Sequence, residues 1–437
     1  MLLTHNPVTN VHNFSPMNAS KGLRSNSRSN HSLKLDDERY QIKNRAKDQA
    51  DSPSPCRATP LPVVYLWISF CHYRLFSTFS RNGWLDADIG DINRFPSRVV
   101  QSSTPSELQT ALDESTVDAF GRLDLGLYGF PGQVIKSQDQ LNNFLIDTQT
   151  TALLVLHQGV LVHEWYAPGL QRDSIHTSFS VSKSFLSTLL GLAIRDGYIK
   201  SIDDPITDYI PELMKNDPRF SEITLKHLVT MTSGLAYVDK KTPFSDPVNT
   251  YYSTNLRKTA LSARITEQPG KNFLYNNYNP LLLGMALERA TGQKVTEYMS
   301  KTLWGPLGAE ADASWSLDSN SSGFEKMESG FNARAVDFAR FGLLFLNKGV
   351  VDGKQVVPEQ WVDDATKAIN PNDPNEGYKY FWRLYPNNQF AAAGNKGQYV
   401  LVAPDQQTVI VRLGSKEPSA LLPLLVDLGL KFDTAGE

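Results

Sequence analysis

The 437-residue chain predicts a mixed α/β fold of the α+β kind, with strand-like runs at both ends of its globular part and a mostly helical stretch between them. Three observations carry this expectation. The run TALLVLHQGVLVHEWYAP has two apolar stretches on either side of Gln158 and Gly159, a hairpin signature. Further runs near 378–385, 398–403 and 408–413 are rich in Tyr, Phe and Val, residues that favour strands. Between these ends, residues 200–320 read as helices separated by Pro and Gly breaks.

Taken in order, residues 1–60 are rich in Ser, Asn and charge, carry nine Lys/Arg against five Asp/Glu, show no sustained period and are expected to be disordered. The segment 61–79 opens on an uncharged apolar run, 61–71. That run is shorter than the roughly 18 residues a spanning helix needs, but long enough for the core of a signal segment or an interfacial anchor. Some sixty residues ahead of it are wrong for a cleaved signal. A start placed too far upstream, an anchor that associates with membranes, and a stray apolar patch are the readings that stand, so the location can be exported, membrane-anchored or cytoplasmic. Helices are expected around 105–115 and 137–147, followed by the hairpin. A helix over 180–196 then stops at Gly197. Phe185, Leu186, Leu189, Leu190, Leu192, Ala193 and Ile194 make it apolar nearly all round, so it belongs in the centre of the molecule. Another helix is expected at 333–347 and a last one at about 418–431. There is no internal repeat.

Composition removes several function classes. Hydrophobic residues at 41% and charged residues at 20% are ordinary for a soluble globular protein. A net charge of −3 and a pI near 6.3 leave no basic footprint for nucleic acid. Cys56 and Cys71 both precede the globular part, so neither a disulfide framework nor a cysteine nucleophile is expected there. The eight histidines show no HExxH or other close ligand spacing. His157 and His163 flank the hairpin turn, His176 and His227 stand alone, and each reads as structural, so no metal is expected. No G-x-S-x-G elbow occurs, which argues against an α/β-hydrolase arrangement. The length allows two or three domains, or one large catalytic domain with an extra segment.

The chemistry is concentrated in three segments. In TSFSVSKSFLSTLLGLAIRDG, Ser180 and Lys183 stand three apart at the head of the apolar helix and share a face. A lysine amine can there take the serine proton, and the helix N-terminus adds partial positive charge that favours an alkoxide and a neutral amine. Taken alone, the pair reads more readily as a surface Ser and Lys on an ordinary helix. In PGKNFLYNNYNPLLLGMALERATG, Tyr275 offers a phenol able to shuttle a proton if cations lower its pKa, and Asn277 offers an amide; alone, Tyr275 also reads as a half-buried structural residue. In QFAAAGNKGQYVLVAPDQQTVIVRLG, Gly394 and Gly397 stand just before a strand, where glycine permits close backbone approach. A plain Gly-rich turn reads the same way.

Together and in this order, the segments resemble the serine β-lactamase and penicillin-binding-protein superfamily, closest to its class C branch, which includes family VIII carboxylesterases and 6-aminohexanoate-dimer hydrolases. The segments DINRFPSR, DDPITDYIPEL, ITLKHLVTMTSGL and GFNARAVDFARFGLLFLNKG are also similar to this family, so the resemblance covers residues 91–437. It implies an antiparallel sheet flanked by helices, built from both ends of the region, with an inserted all-helical lobe of about 200–320. It also implies a serine hydrolase that needs no cofactor and acts on esters or uncharged amides through a covalent acyl-enzyme. Ser180 would be the nucleophile and Lys183 its base. Tyr275 would relay protons, with the first proton open to either of the two. Asn277 would orient Lys183 and the substrate, and the N–H groups of Ser180 and Asn395 would form the oxyanion hole. A β-lactamase or D-Ala peptidase, and a binding or scaffold protein of the same fold without turnover, are the alternatives; the oligomeric state is left open.

One departure bears on the substrate. Where the family's third motif has Lys or His, then a small residue and Gly, this chain aligns Ala392, Ala393 and Gly394. Without that cation a substrate carboxylate is desolvated unpaired, which favours neutral esters over β-lactams unless the nearby Lys396 substitutes.

Overall fold

A computed structural model describes residues 86–239, 245–367 and 377–433. The segments 1–60 and 61–79, with Cys56 and Cys71, lie outside the described residues. In chain order the strands are β1 (Ser97–Val100), β2 (Thr150–His157), β3 (Val160–Tyr166), β4 (Ile175–Thr177), β5 (Ala313–Ser316), β6 (Phe331–Arg334), β7 (Val350–Val351), β8 (Lys354–Gln355), β9 (Tyr378–Lys379), β10 (Trp382–Leu384), β11 (Phe390–Gly394), β12 (Gln398–Ala403) and β13 (Thr408–Gly414). Seven of them form one antiparallel sheet in the order β3-β2-β13-β12-β11-β10-β9. The two ends of the chain close it where β13 meets β2, with Val409 opposite Leu156 and Val411 opposite Leu154. Gln158 and Gly159, at φ 52° and 81°, make the hairpin between β2 and β3; two left-handed residues match the strand twist there.

Alternation along the strands divides the core in two. Leu153, Val155, Leu401 and Ile410 face an outer layer of helices, Ser115–Gly121, Gln138–Asp147 and Leu421–Gly429. Ala152, Leu154, Val400, Val409 and Val411 face the other way, onto helices Ser182–Arg195 and Ala335–Leu346 and the helices between 213 and 299. That inner core runs without interruption from the sheet into the helical region. Every residue of the first helix from Ser182 to Ala193 is buried, and the ring of Phe185 stacks on Phe341 with centroids 3.8 Å apart. Burying a Leu or Phe side chain fully contributes about 1.5–3 kcal/mol, so packing rather than helix propensity holds this element in place.

Three local expectations are corrected. No helix forms around 105–115: the chain from 109 to 113 lies extended along β3, the Ala111 and Asp113 N–H groups donating to the carbonyls of Leu161 and Val162. The helix begins only at Ser115. The run 378–385 is two short strands, broken where Tyr380 and Phe381 take φ of 45° and 66°. A second antiparallel sheet, β1-β5-β6-β4, was not expected at all. Its strands of three and four residues are too short to show an alternation, and they pair only because the tertiary fold brings distant segments together.

His163 and His176 are buried, and burial pushes the pKa of each down to about 4. A histidine whose folded pKa lies below the ordinary value of about 6.5 contributes stability that is complete above that value and is lost as the pH falls to about 4. Acidification from pH 7 to 4.5 is therefore expected to lower Tm by several degrees, each histidine accounting for up to about 3 kcal/mol. Thermal melts across this window for wild type and for His163→Gln and His176→Gln check the attribution, since each variant should flatten the acid limb; identical limbs would remove it.

Candidate active site

After β4 the chain makes one 3-10 turn, Phe179–Val181, that runs directly into helix Ser182–Arg195. Ser180 thus stands on the turn ahead of the helix and Lys183 in the first helical turn. The turn is pinned to β6: the Ser178 N–H donates to Phe331 O at 2.9 Å, and the Phe331 N–H donates to Ser182 Oγ at 2.9 Å. Phe179 has φ 46°, a conformation rarely taken by bulky residues and held here by burial of its side chain in the core. Backbone strain of this kind persists where the surroundings over-determine it, often beside reactive groups.

Lys183 is 1% exposed. Its Nζ donates to Ser180 Oγ at 2.8 Å and to the carbonyl of Glu328 at 2.7 Å, and lies 5.1 Å from the centroid of the Tyr275 ring. The Tyr275 hydroxyl is close enough to Ser180 and Lys183 for both to act on its ionisation. Burial alone would push this phenol's pKa up, but the charge of Lys183, the hydrogen bonds from Ser180 and Lys183, and the charge of Arg383 outweigh it and bring the pKa below the usual tyrosine value. Serine, lysine and tyrosine therefore form one electrostatically linked cluster, with the lysine hydrogen-bonded to the serine.

The Glu328 carbonyl is a partner that sequence reasoning missed, because a backbone oxygen leaves no mark in a sequence. Its loop is anchored by a buried ion pair, Lys326 Nζ to Glu328 Oε1 at 3.2 Å, each side chain 1% exposed. Lys326 also donates to the Tyr251 carbonyl and lies over the rings of Tyr251 and Phe95, at 4.2 and 4.4 Å from their centroids. The Trp315 indole donates to Lys326 O at 2.9 Å.

At the other side of Ser180 stands the end of β11. A Cβ on Gly394 would lie 2.3 Å from Ser178 O and 3.1 Å from Ser180 N, so only glycine lets this strand lie against the turn. Ser180 N–H precedes the first hydrogen bond of its turn and has no acceptor within it; Asn395 follows Gly394 directly. The other two candidate residues are placed as follows. Ala392 is fully buried in the inner core, so it presents no side chain to a substrate. Asn277 donates its amide to Thr250 Oγ1 at 3.1 Å, while the partners of the Lys183 amine are Ser180 and Glu328. Lys396 is engaged too, its Nζ 3.3 Å from Asp86.

Arg412, 1% exposed, fixes the turn after Gly394: it donates to the carbonyls of Lys396 at 2.9 Å, Gly397 at 2.8 Å, Thr148 at 2.8 Å and Lys416 at 3.0 Å. Burial brings its pKa down to about 10. Here a signal existed, since an arginine inside the apolar run TVIVRLG needs buried acceptors. His227 caps its own helix with Thr224. Among the described residues no group of three or more His, Cys, Asp and Glu side chains is placed to hold a metal ion, and no helix is long and apolar enough to cross a membrane.

An antiparallel sheet packed on a central helix, with serine, lysine and tyrosine clustered at its head, defines a β-lactamase-type serine hydrolase. Residues 144–425 match the Beta-lactamase family, and the chain belongs to it. It is 28% identical over 305 residues, 63% of this chain and 75% of the relative, to a 6-aminohexanoate-dimer hydrolase of Paenarthrobacter ureafaciens. Over 164 residues, 35% of this chain and 41% of the relative, it is 29% identical to the esterase EstB of Burkholderia gladioli. The solved structure of a putative 6-aminohexanoate-dimer hydrolase from Bacillus anthracis shares the fold, with a TM-score of 0.67 and 23% identity over 79% of this chain and 94% of that one.

Proposed function

We propose that this hydrolase cleaves small esters and amides through an acyl-enzyme on Ser180. The observation that carries this reading is the contact of the buried Lys183 Nζ with Ser180 Oγ at 2.8 Å, with the Tyr275 ring 5.1 Å from the same amine. Ser180 Oγ attacks the substrate carbonyl as its proton passes into the Lys183–Tyr275 pair. The oxyanion accepts hydrogen bonds from the N–H groups of Ser180 and Asn395, donors typically worth about 10²–10³ in rate each. Collapse of the tetrahedral intermediate expels the alcohol or amine, which takes the proton back. Water then attacks the acyl-enzyme with the same pair as base, releasing the acid and restoring Ser180. Relatives named as a 6-aminohexanoate-dimer hydrolase and as an esterase support including both bond types.

The test is a panel of p-nitrophenyl butyrate, a linear amide and a chromogenic cephalosporin, with the acyl-enzyme followed by intact mass. Hydrolysis of the ester or amide with a Ser180 adduct is the expected result; turnover of the cephalosporin alone would replace the reading with a β-lactamase. Tyr275→Phe should lose about 10²–10⁴ in kcat/KM. Because the pKa of Tyr275 lies below the usual tyrosine value, rate should rise with pH through an ionisation below about 10, and that limb should vanish in the variant. A pH–rate profile that keeps the limb would take the base role away from Tyr275.

A further inference from the structure

The edge of β11 and the residue beside it bear on which substrates this site selects. β10 pairs with β11 only through Leu384–Phe390 and Arg383–Ala391. From Ala392 to Gly394, β11 is bonded to β12 on one side alone. Among the described residues a strand edge three residues long is thus left without a second partner strand, and it ends at Gly394 against the backbone of Ser178 and Ser180. Extended acyl compounds can pair with such an edge.

Arg383 stands at the far end of this edge. It lies directly opposite Tyr378 across the β9–β10 ladder, and the Tyr378 ring packs edge-on against that of Tyr275 with centroids 5.8 Å apart. The Arg383 side chain is exposed, and among the described residues it makes no hydrogen bond and no ion pair. Among the described residues, the groups that act most on its charge are the phenols of Tyr385, Tyr275, Tyr378 and Tyr399. Four other described cations near the site are engaged: Lys183 with Ser180 and Glu328, Lys326 with Glu328, Lys396 with Asp86 and Arg412 with backbone carbonyls. A guanidinium presents a rigid fork that fits a carboxylate with two parallel hydrogen bonds.

We propose that Arg383 is the anion-recognition residue of this site, selecting esters and amides that carry a carboxylate a few atoms from the bond to be cleaved. The assignment rests on the acyl-enzyme reading above. β11, Phe390–Gly394, carries no cation of its own, and Arg383, one strand over and three residues from Gly394, supplies one at a distance of about 10 Å along the edge. The preference for neutral esters expected from Ala392 alone is thereby reversed.

Two matched pairs of substrates test this: mono-p-nitrophenyl glutarate against p-nitrophenyl butyrate, with the carboxylate on the acyl side, and 3-carboxyphenyl butyrate against phenyl butyrate, with it on the leaving group. For whichever side the site reads, the anionic-to-neutral ratio of kcat/KM should fall about 10- to 100-fold in Arg383→Met and recover in part in Arg383→Lys. Binding of glutarate to the full chain, measured calorimetrically, provides a readout independent of turnover and should weaken by a similar factor in Arg383→Met. Ratios unchanged in both pairs, with glutarate binding unchanged, overturn the assignment. If neither neutral ester is hydrolysed nor Ser180 acylated, the acyl-enzyme reading fails, while loss of glutarate binding in Arg383→Met still upholds Arg383 as the anion site.

Discussion

Ser180→Ala is expected to abolish turnover of every substrate, a loss of about 10⁴- to 10⁶-fold for removal of a catalytic nucleophile. It should also leave the protein without any covalent adduct. The neighbouring hydroxyls cannot take over. Ser178, Ser182 and Ser184 are fully buried; Ser178 and Ser182 bond to one another at 3.0 Å, and Ser184 donates to Phe381 O at 2.8 Å. Ser180 is the partly exposed hydroxyl of that run and the one that meets the Lys183 amine. Incubation with a fluorophosphonate followed by intact-protein mass spectrometry should show a single adduct on wild type and none on Ser180→Ala. An adduct that survives the substitution would place the nucleophile elsewhere.

Lys183→Met is expected to cost about 10²–10⁴ in kcat/KM, the usual worth of a positioned acid/base group. Methionine keeps most of the volume of the buried stem and removes the amine, so Ser180 loses its proton partner and Tyr275 loses the charge that most lowers its pKa. The Glu328 carbonyl, which accepts from this amine, is left without that bond, a penalty of about 1–3 kcal/mol. Activity should therefore collapse far beyond what the modest loss of stability explains. Steady-state rates measured beside thermal melts separate the two, and near-wild-type rates in a folded Lys183→Met would move the base to Tyr275 alone.

These expectations draw on two kinds of information. The pairing of Ser180 with Lys183 was legible in the sequence because it is local: three residues at a helix start meet whatever the rest of the chain does. The buried helix behind them, the hairpin at Gln158 and Gly159, and the strands at 398–403 and 408–413 were legible for the same reason, each being a run long enough to show its own period. Tyr275 was visible from its motif, although its place beside Ser180 depends on the helical segment folding back onto the sheet.

What could not be read is what depends on contact between distant segments. The second sheet is made of strands too short to carry a pattern. The stretch from 109 to 113 gave up a helix because β3 offered its backbone better partners. Asn277 donates to Thr250 while the Glu328 carbonyl holds the lysine, and Arg383 stands at the last pair where β10 meets β11. By itself the sequence determined the secondary elements with their own periodicity, the proposed serine–lysine pair and the class of hydrolase the chain belongs to. The tertiary structure alone decided which groups hold that pair, which cation faces the open strand edge and which residues the core has swallowed, because these depend on backbone carbonyls and strand registers that belong to no single stretch of residues.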